Sequence, residues 1–201
     1  MYDTEKKYIF THPAKCAGAS VEIALGIWDL DRDSEEFERY QRLLHESLSD
    51  HIQEIKSHGL NWRDFFIFSV VRNPWDRAVS RYFFLKTYNE TYKSSNISFE
   101  GYIKQCYKFF LESGSHWHHS IRQFLYFENE YVVDHVIRQE NFDAGLQEAM
   151  EKLGIMDYQI PRMNQNTIRP SKDYKSYYTT ETKNMLAKIS ADVIELFDYQ
   201  F

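Results

Sequence analysis

Two segments carry residue types suited to holding phosphate. The first is Lys15-Cys-Ala-Gly-Ala-Ser20. Small residues let several backbone N–H groups approach one anion. A helix N-terminus behind them adds partial positive charge. Lys15 supplies a mobile full charge and Ser20 a hydroxyl donor. A plain small-residue turn with a solvent-exposed lysine would have the same composition. The segment is not a Walker A loop, which requires Gly-x-x-x-x-Gly-Lys-Ser/Thr. Here Lys15 precedes Gly18 and no hydroxyl follows it directly. That order suits a phosphate site that needs no metal.

The second segment begins at Arg72, with Ser80 eight residues on. Arg presents a planar fork to phosphate, and Ser adds a hydroxyl. The alternative for Arg72 is a surface ion pair. Arg77 and Arg81 are nearby, and Arg77 is as well placed to pair with Asp76 or the core edge as with a ligand. Two phosphate sites point to a nucleotide with separated phosphates.

The elements around these residues must place both segments on one edge. Lys7–Thr11 reads as a strand, His12–Ala19 as a loop, and Ser20 opens a helix over Val21–Trp28. Asp29–Glu38 is acidic and reads as a surface loop passing into a helix, followed by a helix over Ser47–His58. Phe65–Val71 is apolar without alternation, as in a strand covered on both faces. Pro74 suits the first turn of the helix that Ala78–Tyr88 continues. Ser98–Leu111 and Ser120–Phe127 read as helices, and Tyr131–Ile137 as a third strand. Gln139–Leu153 reads as a helix, Ile160–Tyr178 as a long loop and Thr180–Leu196 as a closing helix. Strands alternating with helices imply an α/β fold: a single three-layer domain over residues 1–201, with a mainly parallel central sheet flanked by helices. Such sheets bind ligands at the carboxyl ends of their strands, where both phosphate segments are expected.

Composition removes several classes. The chain has 201 residues, is 17% aromatic and has seven Gly, which excludes disorder and fibrous repeats. The net charge of -6 argues against a generic nucleic-acid binder. Cys16 and Cys106 form no CxxC pairing, so neither a disulfide framework nor a zinc site is expected. The absence of a long apolar run and of a leader-like N-terminus points to a cytoplasmic protein without a membrane span.

His12–Ser20 resembles the 5′-phosphosulfate loop of the sulfotransferases that use 3′-phosphoadenosine 5′-phosphosulfate (PAPS), in particular their carbohydrate branch. Phe68-Ser-Val-Val-Arg-Asn-Pro-Trp-Asp-Arg-Ala-Val-Ser80 resembles the family's 3′-phosphate segment. Gln139–Phe142 and Tyr177–Phe201 are similar more weakly, so the likeness covers most of the chain. The resemblance implies a P-loop-like sulfotransferase fold, PAPS as co-substrate and transfer of a sulfuryl group to a hydroxyl acceptor, with a sugar the expected one. It implies that Lys15 contacts the bridging oxygen, that Cys16, Ala17, Gly18, Ala19 and Ser20 surround the 5′-phosphate, and that Arg72 and Ser80 take the 3′-phosphate. Cys16 and Ala19 stand where the family usually has Thr, which leaves more of the work to backbone donors.

In-line transfer builds charge on the leaving phosphate, and a base should take the acceptor's proton. A His some twenty-odd residues before the 3′-phosphate Arg resembles an element of this branch, which makes His45 the first candidate base and His51 the second. A solvated helix histidine is the alternative for each; Glu46 and Glu54 are weaker choices. His116-Trp-His-His119 is read as acceptor-pocket lining or surface rather than a metal site. Trp75, Tyr82, Phe83, Phe84, Tyr88 and Tyr92 are assigned mostly to packing. Arg162, Arg169 and Lys172 are candidates to close over the nucleotide. Competing readings are a magnesium-dependent kinase, disfavoured by the lack of a Walker A loop, and a non-catalytic nucleotide- or glycan-binding relative, suggested by Ala19.

Overall fold

The structure, a computed structural model, describes residues 1–29, 33–35, 38, 43, 46–114, 121–160 and 168–201. Chain contacts divide it into two compact units, Met1–Val71 with Ile121–Met163 and Arg72–Ser120 with Asn164–Phe201.

The first unit is built on a four-stranded sheet. β1 (Tyr2–Asp3) pairs antiparallel with β2 (Tyr8–Thr11), which pairs parallel with β3 (Phe66–Val71). β3 pairs parallel in turn with β6 (His135–Arg138), giving the order β1-β2-β3-β6. β2 is wholly buried and β3 nearly so, which is why neither strand alternates with polar residues. Successive side chains face opposite sides. Tyr8, Phe10, Phe68, Val70 and Ile137 share one core cluster with Val21 and Ala24 of α1 (Gly18–Ala24) and with Leu146, Ala149 and Met150 of α7 (Phe142–Lys152). β2 also meets α2 (Leu48–Ser57), which buries Leu48, His51, Ile52 and Ile55. Thr11 Oγ1 donates to the Phe124 carbonyl of α6 (Arg122–Leu125) at 2.7 Å. The expected α/β architecture, a mostly parallel sheet flanked by helices, is therefore present.

Several boundaries differ from the sequence reading. Among its described residues, the stretch read as a helix over Ser120–Phe127 is helical through α6 and then forms β4 (Tyr126–Phe127). β4 pairs with β5 (Glu130–Tyr131) across Glu128 and Asn129, whose φ values of 49° and 67° give a two-residue hairpin turn. That turn removes Tyr131 from the expected third strand, which begins at His135.

The second unit is helical among its described residues. α3 (Pro74–Tyr88) is capped by Asn73, whose side chain accepts from the Trp75 and Asp76 amides, with Pro74 in the first turn. α4 (Glu90–Ser94) and α5 (Phe99–Ser113) follow. The expected closing helix is two, α8 (Thr180–Ile189) and α9 (Ala191–Phe197), broken at Ser190. Trp75 lies against Phe201, which also meets Tyr174 and Tyr178, so the chain's last residues form part of this unit's core.

Candidate active site

In the first unit, β2 runs through His12 and Pro13 into the small-residue loop and then α1. Lys15 and Ala17 have φ values of 70° and 67°, although neither is glycine. This left-handed backbone costs roughly 1–3 kcal/mol per residue and persists only where surroundings enforce it. Left-handed residues interleaved with others turn successive N–H groups toward one side, the geometry of an anion-binding nest. Helix α1 starts at Gly18, earlier than the sequence suggested, so Ser20 lies inside its first turn and its amide donates to Ala17 O at 3.0 Å. Cys16 is fully buried, and Ala19 is half-buried.

Beneath the loop is a polar network that the sequence did not single out. His12 Nε2 lies 2.9 Å from Glu22 Oε1, and Trp28 Nε1 donates to Glu22 Oε2 at 3.3 Å. The His12 ring stacks on Phe10, at 5.3 Å between centroids. A Cβ on Gly18 would fall 2.3 Å from the His12 ring, so the loop closes down on that ring and admits no side chain there. The available signal was Glu22, an acid between Val21 and Ile23 on an apolar helix; a buried carboxylate requires a partner.

In the second unit, Arg72 donates through Nε and Nη2 to Asp76 Oδ2 at 2.9 and 2.6 Å. The ion pair considered for Arg77 with Asp76 is thus formed by Arg72, and Asp76 is shared with Arg169 at 2.9 Å. Ser80 is half-buried two turns into α3. Burial lowers the pKa of Arg81, and the neighbouring Arg77 charge lowers it further. Lys172 is exposed, and Arg162 lies outside the described residues.

His51 is not a solvated helix residue. It is 1% exposed, its Nε2 lies 2.6 Å from the Met1 amino group, and its ring meets Tyr2 edge-on. Glu46 Oε2 is 3.8 Å from its Nδ1, and Glu54 is half-buried on the same helix. His45 and the His116–His119 cluster lie outside the described residues. Most of the aromatics pack: Trp75 and Tyr82 are buried, Phe83 meets Tyr177, and Tyr92 meets Tyr102, whereas Tyr88, beside Phe84, is exposed. A cavity of about 630 Å³ in the first unit, lined by Arg63, Asp64, Asp134, His135, Glu148 and Lys152, opens at the amino ends of β3 and β6. It lies at the strand ends opposite to the one that feeds the Lys15 loop.

Among the described residues, no helix is long and apolar enough to cross a membrane, and no His/Cys/Asp/Glu group is arranged to hold a metal. An uncharacterized protein of Archaeoglobus fulgidus is 26% identical over 105 residues, which is 50% of this chain and 77% of that protein. The crystal structure of mouse sulfotransferase SULT7A1 complexed with PAP superposes with a TM-score of 0.57 at 13% identity, over 98% of this chain and 88% of that one, which shows a shared fold. The family model described as "Sulfotransferase family" matches residues 3–199, across both units. The chain belongs to the sulfotransferase family.

Proposed function

We propose that the chain is a PAPS-dependent sulfotransferase, its two units acting as one catalytic domain, that moves a sulfuryl group to a hydroxyl of an acceptor, a carbohydrate being the class we favour. The observation that carries the reading is the Lys15 loop, which holds Lys15 and Ala17 left-handed between β2 and α1. The PAP complex of the mouse structure supports the choice of nucleotide.

In this reading the amides of residues 16–20 bind the 5′-phosphate, and Lys15 neutralises the bridging oxygen as the S–O bond breaks. Arg72 and Ser80 bind the 3′-phosphate. Catalysis is then positioning and charge stabilisation, and no residue needs to form a covalent intermediate. His45 is the first candidate for the base that accepts the acceptor hydroxyl's proton. His51 is second, and it would have to release its contact with the Met1 amino group. The two reduced, buried thiols fit a cytoplasmic enzyme.

Calorimetric titration with adenosine 3′,5′-bisphosphate, paired with turnover of PAPS over a panel of sugar acceptors, tests the proposal. Binding together with turnover that falls about 10²–10³-fold in Lys15→Ala is the expected result. Binding without turnover, indifferent to Lys15→Ala, would establish the non-catalytic alternative. Failure to bind the bisphosphate at all would refute the reading.

A further inference from the structure

Arg72 is engaged within the chain itself. Two of its donors go to one oxygen of Asp76, one helical turn further on. The other oxygen of that carboxylate, itself buried, lies 2.9 Å from Arg169 Nη1. The side chains of Arg72, Asp76 and Arg169 are 14%, 18% and 13% exposed, so water screens the cluster poorly.

Arg169 is fixed from behind. Its Nε donates to Ser171 O at 2.7 Å and its Nη2 to Lys172 O at 2.8 Å. The segment that carries it is tied to the first turn of α3. Tyr178 donates its hydroxyl to Trp75 O at 2.8 Å, and Asn73 Nδ2 donates to the Tyr174 hydroxyl at 3.4 Å. Tyr177 Oη both donates to Ser171 O and accepts from Ser171 N.

Charge counting gives this arrangement its consequence. An Arg72–Asp76 pair alone is neutral and offers a phosphate no net attraction. The second guanidinium raises the cluster to a net +1. Asp76, by taking two donors of Arg72, fixes the plane of its fork. We propose that Asp76 and Arg169 are positioning residues of the 3′-phosphate subsite: Asp76 orients Arg72, Arg169 restores the positive charge that Asp76 cancels, and together they set the preference for a 3′-phosphorylated nucleotide. The inference rests on the role proposed for Arg72. Arg169 acts through Asp76 and does not itself need to touch the phosphate.

A double-mutant cycle on the full chain tests it, with calorimetric affinities for adenosine 3′,5′-bisphosphate and adenosine 5′-monophosphate. Arg169→Gln should weaken the bisphosphate about 10- to 100-fold. It should leave the monophosphate, which lacks the group being recognised, within about twofold. Arg169→Lys keeps the charge and should recover most of the loss. In an Asp76→Asn background Arg169 has lost the carboxylate through which it acts on Arg72, and Arg169→Gln should then cost less than about threefold. An equal loss in both backgrounds would overturn the inference, as would an equal loss for both nucleotides or no loss at all. If the unsubstituted chain does not prefer the bisphosphate, the role of Arg72 and this inference fall together. If it does prefer it and Arg169→Gln changes nothing, only the inference falls.

Discussion

Gly18 is constrained by contact, not by its backbone angle. Its φ is not in the left-handed region, yet a Cβ there would collide with the buried His12 ring. That ring cannot retreat easily, because Phe10 stacks on it and Glu22 holds its Nε2. The loop must therefore move instead. Gly18→Ala is expected to abolish nucleotide binding while leaving the fold intact, since β2 and α1 keep their own contacts. His12→Ala should behave in the reverse way, taking one partner from the buried Glu22 carboxylate and costing about 3 kcal/mol of stability. Calorimetry and chemical denaturation on the two variants separate the effects; similar stability losses in both would contradict the argument. Lys15, Gly18 and Arg72 could be singled out from the sequence because small residues with a lysine between a strand and a helix, and an arginine at a strand end, are types that suit an anion. Asp76 and Arg169 were not legible as a pair, because nothing local relates two residues that meet only through tertiary structure.

Elements read from periodicity and caps came through where local signals were strong. Ser47 forms a capping box with Asp50, Asn73 caps α3, and Ser98 caps α5. The failures fall where two short elements share an apolar run. Glu128-Asn129 adopts the turn usually given to Asn-Gly, so the β4–β5 hairpin left no glycine to mark it. Within the second unit, α5 makes a pH prediction. Burial pushes the Cys106 thiol well up, and burial with the neighbouring thiol pushes the Tyr102 phenol well above its ordinary value. In the unfolded chain these groups titrate near ~8.5 and ~10. Above those values the unfolded chain binds fewer protons than the folded one, so stability falls as pH rises. The melting temperature should begin to decline near pH ~8.5, with a second decline from pH ~10. Cys106→Ala should make the first decline shallower and keep the second. A profile in which Cys106→Ala declines as steeply as the parent between pH ~8.5 and ~10 would rule out the Cys106 thiol as the cause.

Across the whole molecule the charge is divided unevenly. Residues 1–71 and 121–163 contain 12 Lys and Arg against 21 Asp and Glu, a net of -9. Residues 72–120 and 164–201 contain 12 against 9, a net of +3. The total of -6 would repel a polyanionic nucleotide at long range, whereas the unit that holds Arg72 and Arg169 would attract it. The two effects respond to salt with opposite sign. Over a Debye length of ~10 Å at 0.1 M ionic strength, the charges nearest the ligand dominate. Affinity for adenosine 3′,5′-bisphosphate should therefore fall as sodium chloride is raised, and fall more steeply than affinity for adenosine 5′-monophosphate, which lacks the phosphate assigned to the basic unit. If the overall charge governed the encounter, salt would screen a repulsion and the affinity would rise. A positive salt slope, or equal slopes for the two nucleotides, would remove the basic unit as the source of attraction.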